Sequence, residues 1–259
     1  MPRILPFFIL AFFISVLAVS PANAKKENKA ATDIIKASQC HHDDQDCLLS
    51  ELESITDAIE NKNWRDQTYR EIAKLLAHEK KNAQALSLLN KIEHPDTKAL
   101  TIRGIGMAAA QTDMNEQEFI TLFGDLRAHA EKIEHPPSYA IALTYIAMSQ
   151  AFSGDDAGAL KTAMDMKNDA LRNKALGESA EIQAERGDLE RALESISHID
   201  SDAFRNKAYR LISKIFAQEK HYDKAINAAN QIDNTYQRAQ AVLFILAQQI
   251  TPEEVSLVE

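Results

Sequence analysis

Apolar residues recur along this chain at helical spacing. Leu48, Leu49, Leu52, Ile55 and Ile59 form one stripe, and the same three- and four-residue steps return in Tyr69, Ile72, Leu75 and Leu76 and again in Tyr209, Ile212, Ile215 and Phe216. No β-branched alternating run appears, glycine and proline number only 7 each, and Ala, Leu, Glu, Lys and Gln abound. The pattern predicts an all-α protein.

The stripes repeat. The segment beginning Leu171-Arg172-Asn173-Lys174-Ala175 is followed 33 residues later by Phe204-Arg205-Asn206-Lys207-Ala208, and Ala192 answers to Ala225 as Ile199 answers to Ile232. Self-similarity at that period marks an array of helical pairs, each burying its apolar face against its neighbours. Registered on one small residue per unit, the array reads Thr68, Thr101, Ala142, Ala175, Ala208 and Ala241, with spacings of 33, 41, 33, 33 and 33. The eight extra residues lie between Asn115 and Ile133 and predict a second helix about two turns longer than its counterparts, overhanging the array. Small Ala73, Gly106, Ala147, Ala180 and Ser213 mark close helix approach, and second helices repeat Ala85, Ala159, Ala192 and Ala225. Turns are expected at Gly154-Asp155 and Gly187-Asp188, with a left-handed glycine and an acid capping the next helix. Pro95 and Pro136 close second helices and permit a fresh start. The stripe from Cys47 reads as the second half of an incomplete repeat.

Three segments are read along the chain. Residues 1–24 combine Arg3, an apolar run from Ile4 to Val19 and Ala22-Asn23-Ala24, the signature of a cleaved secretory signal peptide. Residues 25–46 are a mobile leader ending in a cysteine loop, and residues 47–259 are the repeat domain. Removing the signal leaves 28 basic and 38 acidic side chains, a formal charge of −10 that repels nucleic acid. No later stretch is apolar enough to anchor the mature chain in a membrane, which suits the periplasm, with secretion as the other destination.

The only two cysteines, Cys40 and Cys47, are expected to pair in an oxidising compartment. Seven residues along a helix would separate their Cα atoms by about 10 Å, more than a disulfide tolerates, so the intervening residues cannot be helical throughout. Asp43 or Asp44 then caps a helix starting near Cys47. The alternative is a metal site drawing on the two thiolates, His41, His42 and the nearby carboxylates.

A second repeated phrase joins an apolar residue and an acid to a base six residues past the apolar one: Ile59-Glu60 to Arg65, Ile199-Asp200 to Arg205, Ile232-Asp233 to Arg238. Met166 leads likewise to Arg172. An arginine early in a helix faces an unfavourable dipole, so these bases are expected to turn to carboxylates such as Glu60, Asp200 and Asp233 or to a neighbouring repeat. No catalytic motif is present: there is no Gly-x-Ser-x-Gly, His-Glu-x-x-His or phosphate-cradling glycine loop. The expectation is a chain with no catalytic residues and no cofactor.

Small Ala180, turn Gly187, Leu189, Ala192, Ile196 and Ile199 stand where the tetratricopeptide repeat wants small, glycine, bulky, alanine, bulky and small or apolar residues, and the chain resembles that family from Cys47 onward. The resemblance departs in its 33-residue period and in lacking the helix-ending proline in later repeats. It implies a right-handed αα solenoid whose first helices line a groove for a peptide or protein segment. Carried onto this register, the groove residues are Arg70, Lys74, Arg103, Met107, Thr144, Met148, Glu181, Arg210 and Lys214, basic at both ends and apolar in the middle. Such a groove favours an extended acidic or C-terminal carboxylate segment with an apolar anchor. The function implied is a non-catalytic cell-envelope scaffold for a protein or peptide partner; the alternative is a metal- or small-ligand-binding protein using the Cys40 to Cys47 segment. Thr251-Pro252-Glu253-Glu254 reads as the start of a short closing helix packed down by Val255, Leu257 and Val258.

Overall fold

The computed structural model describes residues 40–252, and among them are twelve helices and no strand. The signal segment, the leader up to Gln39 and the closing segment beyond Pro252 lie outside the described residues. Among the described residues no helix is long and apolar enough to cross a membrane. The chain divides into two units, Met1–Glu51 and Leu52–Glu259.

In the first unit Cys40 and Cys47 are joined, with Cα atoms 5.5 Å apart. The approach is possible because helix α1 (Gln45–Asp57) starts only two residues before Cys47. Asp44 is its cap, accepting the Cys47 N–H at 3.0 Å, and the Asp44 N–H donates to the His41 carbonyl at 3.0 Å to close the turn.

The second unit alternates long and short helices. The long ones are α2 (Lys62–His78), α4 (Pro95–Ala109), α6 (Pro136–Ser153), α8 (Asp169–Glu185), α10 (Asp202–Gln218) and α12 (Thr235–Ile250). Between them lie α3 (Asn82–Leu88), α5 (Glu116–Ala130), α7 (Asp156–Met164), α9 (Leu189–Ser197) and α11 (Tyr222–Asn230). Long helices start at 62, 95, 136, 169, 202 and 235, the 33, 41, 33, 33, 33 spacing of the sequence register. Each long helix packs on the next long helix and on its own short one, and no helix pair in substantial contact is more than two places apart in chain order. That is the packing expected of a repeat array.

Boundaries follow local chemistry. Pro95 and Pro136 are first residues of α4 and α6, where the missing N–H costs nothing. Asn61, Asn168, Asn234, Asp155 and Asp188 accept N–H groups of the first turns that follow them. Gly154 and Gly187 take φ of 91° and 84° in the turns, and the corresponding Lys80 and Lys220 take 58° and 62°.

Two columns of small residues let long and short helices meet. Ala73, Ala147, Ala180 and Ser213 are fully enclosed to within 0%, as are Ala77, Ala151 and Ala217 one turn on. At Gly106, an added Cβ would lie 2.6 Å from Ser149 Oγ and 2.8 Å from its Cβ, so glycine sets the α4 to α6 distance. Met166, Ile199 and Ile232 of the repeated phrase are buried, as are Ile92 and Ile133 at the ends of earlier units, whereas Ile59 is half-buried. Leu75, expected on the apolar stripe, is instead 51% exposed.

The extra residues of the 41-residue unit do lengthen the second helix: α5 has 15 residues where α7, α9 and α11 have 9. The added turns do not stand free. Phe119, Leu122, Phe123 and Leu126 are buried, and α5 packs on α3, α4 and α6. An apolar residue every third or fourth place along the insertion gives it a core of its own, which corrects the expected overhang.

Candidate functional site

The repeated arginines reach forward. Arg65 pairs with Glu93 at 2.8 Å, Arg172 with Asp200 at 2.5 Å and Arg205 with Asp233 at 3.6 Å, each acid 28 residues ahead. Arg172 also donates to the Met166 carbonyl at 3.3 Å and Arg205 to the Ile199 carbonyl at 3.0 Å, at the close of the preceding repeat. The Arg172 and Arg205 guanidinium groups therefore stitch the close of one repeat to the close of the next. Arg65 takes Glu93 as its partner rather than looking back to Glu60.

Beside each arginine runs a second ladder that the sequence reading missed. Asp66 accepts the N–H groups of Glu93 and His94 at 3.0 and 2.8 Å. Asn173 accepts that of Asp200 at 3.3 Å, and Asn206 that of Asp233 at 3.0 Å. All three are buried. The signal was present as the recurring Arg-Asn pair at 172–173 and 205–206, with Arg-Asp at 65–66. A third ladder is equally buried: the Thr162 and Ser195 hydroxyls donate to the side-chain carbonyls of Gln150 and Gln183 at 2.7 and 2.8 Å. These ladders are buried polar groups that bond between separate segments of the chain, although Asp66 uses only Oδ2 and its Oδ1 is buried without a hydrogen-bond partner.

The nine groove residues all lie on long helices. Lys74 of α2 lies by Gly104 of α4, since a Cβ on that glycine would be 3.8 Å from Lys74 Cβ. Arg103 of α4 stacks over Tyr145 of α6 at 5.4 Å, and Lys214 of α10 over Phe244 of α12 at 4.6 Å. Arg70 donates to Glu71 at 2.7 Å. Arg210 and Lys214 are half-buried and Arg103 is exposed. Thr144 does not contribute: it is 2% exposed and its hydroxyl donates to the Ala140 carbonyl of its own helix. Met148 packs against Ala151, Ala159 and Ile182, so it serves the α6, α7 and α8 core, while Met107 is half-buried.

The face is more acidic in its middle than the sequence register implied. On α8, Glu178, Glu181 and Glu185 succeed one another along the helix. Burial pushes the Glu181 carboxyl above its ordinary range, and the neighbouring charges of Glu185 and Glu178 add to that, with Lys207 of α10 opposing them. Desolvation pushes Glu185 the same way. Glu178 Oε2 is buried with no hydrogen-bond partner, and its Oε1 is 3.6 Å from Lys174.

Two clefts lie elsewhere. One of about 240 Å³ is lined by Asp156, Leu160, Gln183, Arg191 and Glu194. The other, of about 440 Å³, lies between α3 and α5 and is lined by Lys80, Asn82, Leu86, Met114, Glu118 and Asp125. None of the nine groove residues lines either. In the first unit, ligand atoms of His41, His42 and Asp43 lie within 4.8 Å of one another, all exposed. His41 is hydrogen-bonded to Asp43, and the two imidazoles are 4.4 Å apart. Cys40 and Cys47 are joined to each other, which removes both thiolates from the ligand set considered for that loop.

No family model matches the chain, and neither the curated proteins nor the solved structures contain a match to it.

Proposed function

We propose that this chain is a tetratricopeptide-like αα solenoid, exported to the cell envelope, that acts without chemistry of its own as a scaffold for a peptide or protein segment. The observation that carries the reading is the continuity of one face: side chains of consecutive long helices lie against each other as Arg103 on Tyr145, Glu181 near Lys207 and Lys214 on Phe244. Long side chains left at a shared surface, rather than in the core, are what an extended segment reads in pockets and charges. The charge order along the face is basic at Arg70, Lys74 and Arg103, acidic over α8, and basic again at Arg210 and Lys214. The segment it fits carries acid towards both ends and a base or hydroxyl over Glu178 and Glu181.

The test is affinity capture from native envelope extract with the chain as bait, beside a variant with Arg70, Lys74, Arg103, Arg210 and Lys214 changed to glutamate. A partner held by the first and lost by the folded variant, and weakened by salt, supports the reading. The same set of proteins from both removes the face from consideration.

A second reading rests on the His41, His42 and Asp43 group, whose ligand atoms are close enough for one divalent ion. It expects zinc or copper to stay with the protein through gel filtration and to be lost from the His41→Ala, His42→Ala double variant. Equal retention by both sinks it.

A further inference from the structure

We propose that the cleft between α3 and α5 binds a guanidinium group carried on a short apolar stem. The cleft has a counterpart further along the array, between α7 and α9. Asn82 and Asp156 are the first residues of α3 and α7, and Ala83 and Leu86 line the one cleft as Ala157 and Leu160 line the other. The two sites share a register and differ in what fills them.

In the counterpart the chain itself supplies the donors. Gln183, 27 residues ahead of Asp156, donates to its Oδ1 at 2.9 Å, and Arg186, 30 residues ahead, donates to its Oδ2 at 2.7 Å. The same guanidinium donates to the Ala151 carbonyl at 2.5 Å. The residues at those two distances ahead of Asn82 are Ala109 and Thr112. Alanine has no side-chain donor, and the Thr112 hydroxyl donates to the Ala109 carbonyl at 2.7 Å. Asn82 Oδ1 is accordingly buried with no hydrogen-bond partner. The amide is held that way round, because Nδ2 donates to Met114 Sδ at 3.3 Å. An enclosed acceptor left without a donor is costly, and a ligand that brings an N–H relieves that cost.

Charge and shape select which donor. Among the charged residues lining the cleft, Lys80 is ion-paired with Asp113, while α5, the lengthened helix of the 41-residue unit, contributes Glu118 and Asp125. Glu118 spends Oε2 on the Asn115 N–H at 2.7 Å and keeps its charge. Two carboxylates beside one neutralised cation draw a cation. Leu86, Leu122 and Met114 supply apolar surface for a methylene stem. The space of about 440 Å³, against about 240 Å³ in the counterpart, falls within the range of about 300–1,000 Å³ in which small ligands are held. The planar fork of a guanidinium reaches an amide oxygen and a carboxylate together, as Arg186 reaches a carbonyl and a carboxylate. The inference is independent of the peptide-binding reading, since no groove residue lines this cleft.

Calorimetric titration of the purified protein with n-butylguanidinium tests it, beside n-butylurea, which has a similar shape and no charge. The expected result is saturable binding of the guanidinium, with the urea at least tenfold weaker. Asn82→Ala and Asp125→Asn are each expected to weaken binding at least fivefold with helical circular dichroism retained. Thr112→Arg places a guanidinium of the chain's own where Arg186 stands in the counterpart, and is expected to abolish binding by the folded variant. No binding at millimolar probe overturns the proposal. So does equal binding of the urea, or binding that the folded Asn82→Ala, Asp125→Asn and Thr112→Arg variants all leave intact. Free arginine and Nα-acetylarginine N-methylamide separate the two sources of the group. Tighter binding of the amide supports an arginine side chain of a partner segment and tighter binding of the amino acid a free small molecule, while binding of neither overturns the proposal.

Discussion

Lys80 and Lys220 occupy the left-handed turn position that Gly154 and Gly187 occupy in other repeats, with φ of 58° and 62°. A side chain in that region costs about 1 kcal/mol, through contact between Cβ and the following carbonyl, and glycine escapes it. Lys220→Gly is therefore expected to stabilise the fold by roughly 0.5–1 kcal/mol and to raise the melting temperature by a few degrees. A lower melting temperature would show that the Lys220 side chain contributes more than its backbone costs. Glu181 gives the second prediction at this scale. Its folded carboxyl titrates above the 4.5 of the ordinary group. The folded chain thus takes up the proton before the unfolded chain does, and stability falls as pH rises from 4.5 through the folded value. Glu181→Gln is expected to melt higher than the parent at pH 7, with the difference vanishing below pH 4.5; a difference that persists in acid would place the effect in packing. The sequence placed Glu181 on a long helix but did not give its burial. The company of Glu178 and Glu185 follows from their i−3 and i+4 places on the same helix, whereas its burial depends on how closely the neighbouring helices pack.

At the scale of elements, the junction between successive repeats is held by the arginine ladder and by the amides beside it. Asn206→Ala leaves the Asp233 N–H without its acceptor in a part-buried site and is expected to cost about 1–3 kcal/mol. Arg205→Ala removes ion pairs to Asp202 and Asp233, both largely solvent-exposed on the acid's side, together with a bond to the Ile199 carbonyl, and is expected to cost about 1 kcal/mol. Thermal melts of the two variants rank them, and Arg205→Ala melting below Asn206→Ala would reverse the assignment of the stronger tie. Some helix starts were readable from their own punctuation, in Pro95, Pro136 and the aspartates after Gly154 and Gly187, whereas α3, α10 and α11 follow Lys81, Ser201 and His221 with no side-chain cap. The role of the insertion was only half readable. Its eight residues foretold a longer α5, but Phe119 and Phe123 turn those residues inward, and inward is defined only by the neighbouring helices.

At the scale of the molecule, among the described residues no helix makes substantial contact beyond its second neighbour in the chain. Stability is then a sum of repeat and nearest-neighbour contributions, and damage stays local. Hydrogen exchange of the Asn206→Ala variant is expected to quicken in α10, α11 and α12 while α2 and α4 keep their protection. Uniform quickening along the chain would show one cooperative unit instead.

What the amino-acid sequence determined by itself is periodic and local. The 33-residue step, the helix ends, the left-handed turns and the Cys40 to Cys47 bridge all follow from side-chain size, backbone freedom and reach over a few residues. What only the tertiary structure decided is which polar groups are enclosed and which apolar ones are not. Thr144, chosen for a groove, is enclosed; Gln150 and Gln183 are buried and paired; Leu243, Leu246 and Ile250 are left facing outward. Burial is the work of neighbours distant in sequence, and a residue's own identity does not record how near those neighbours come.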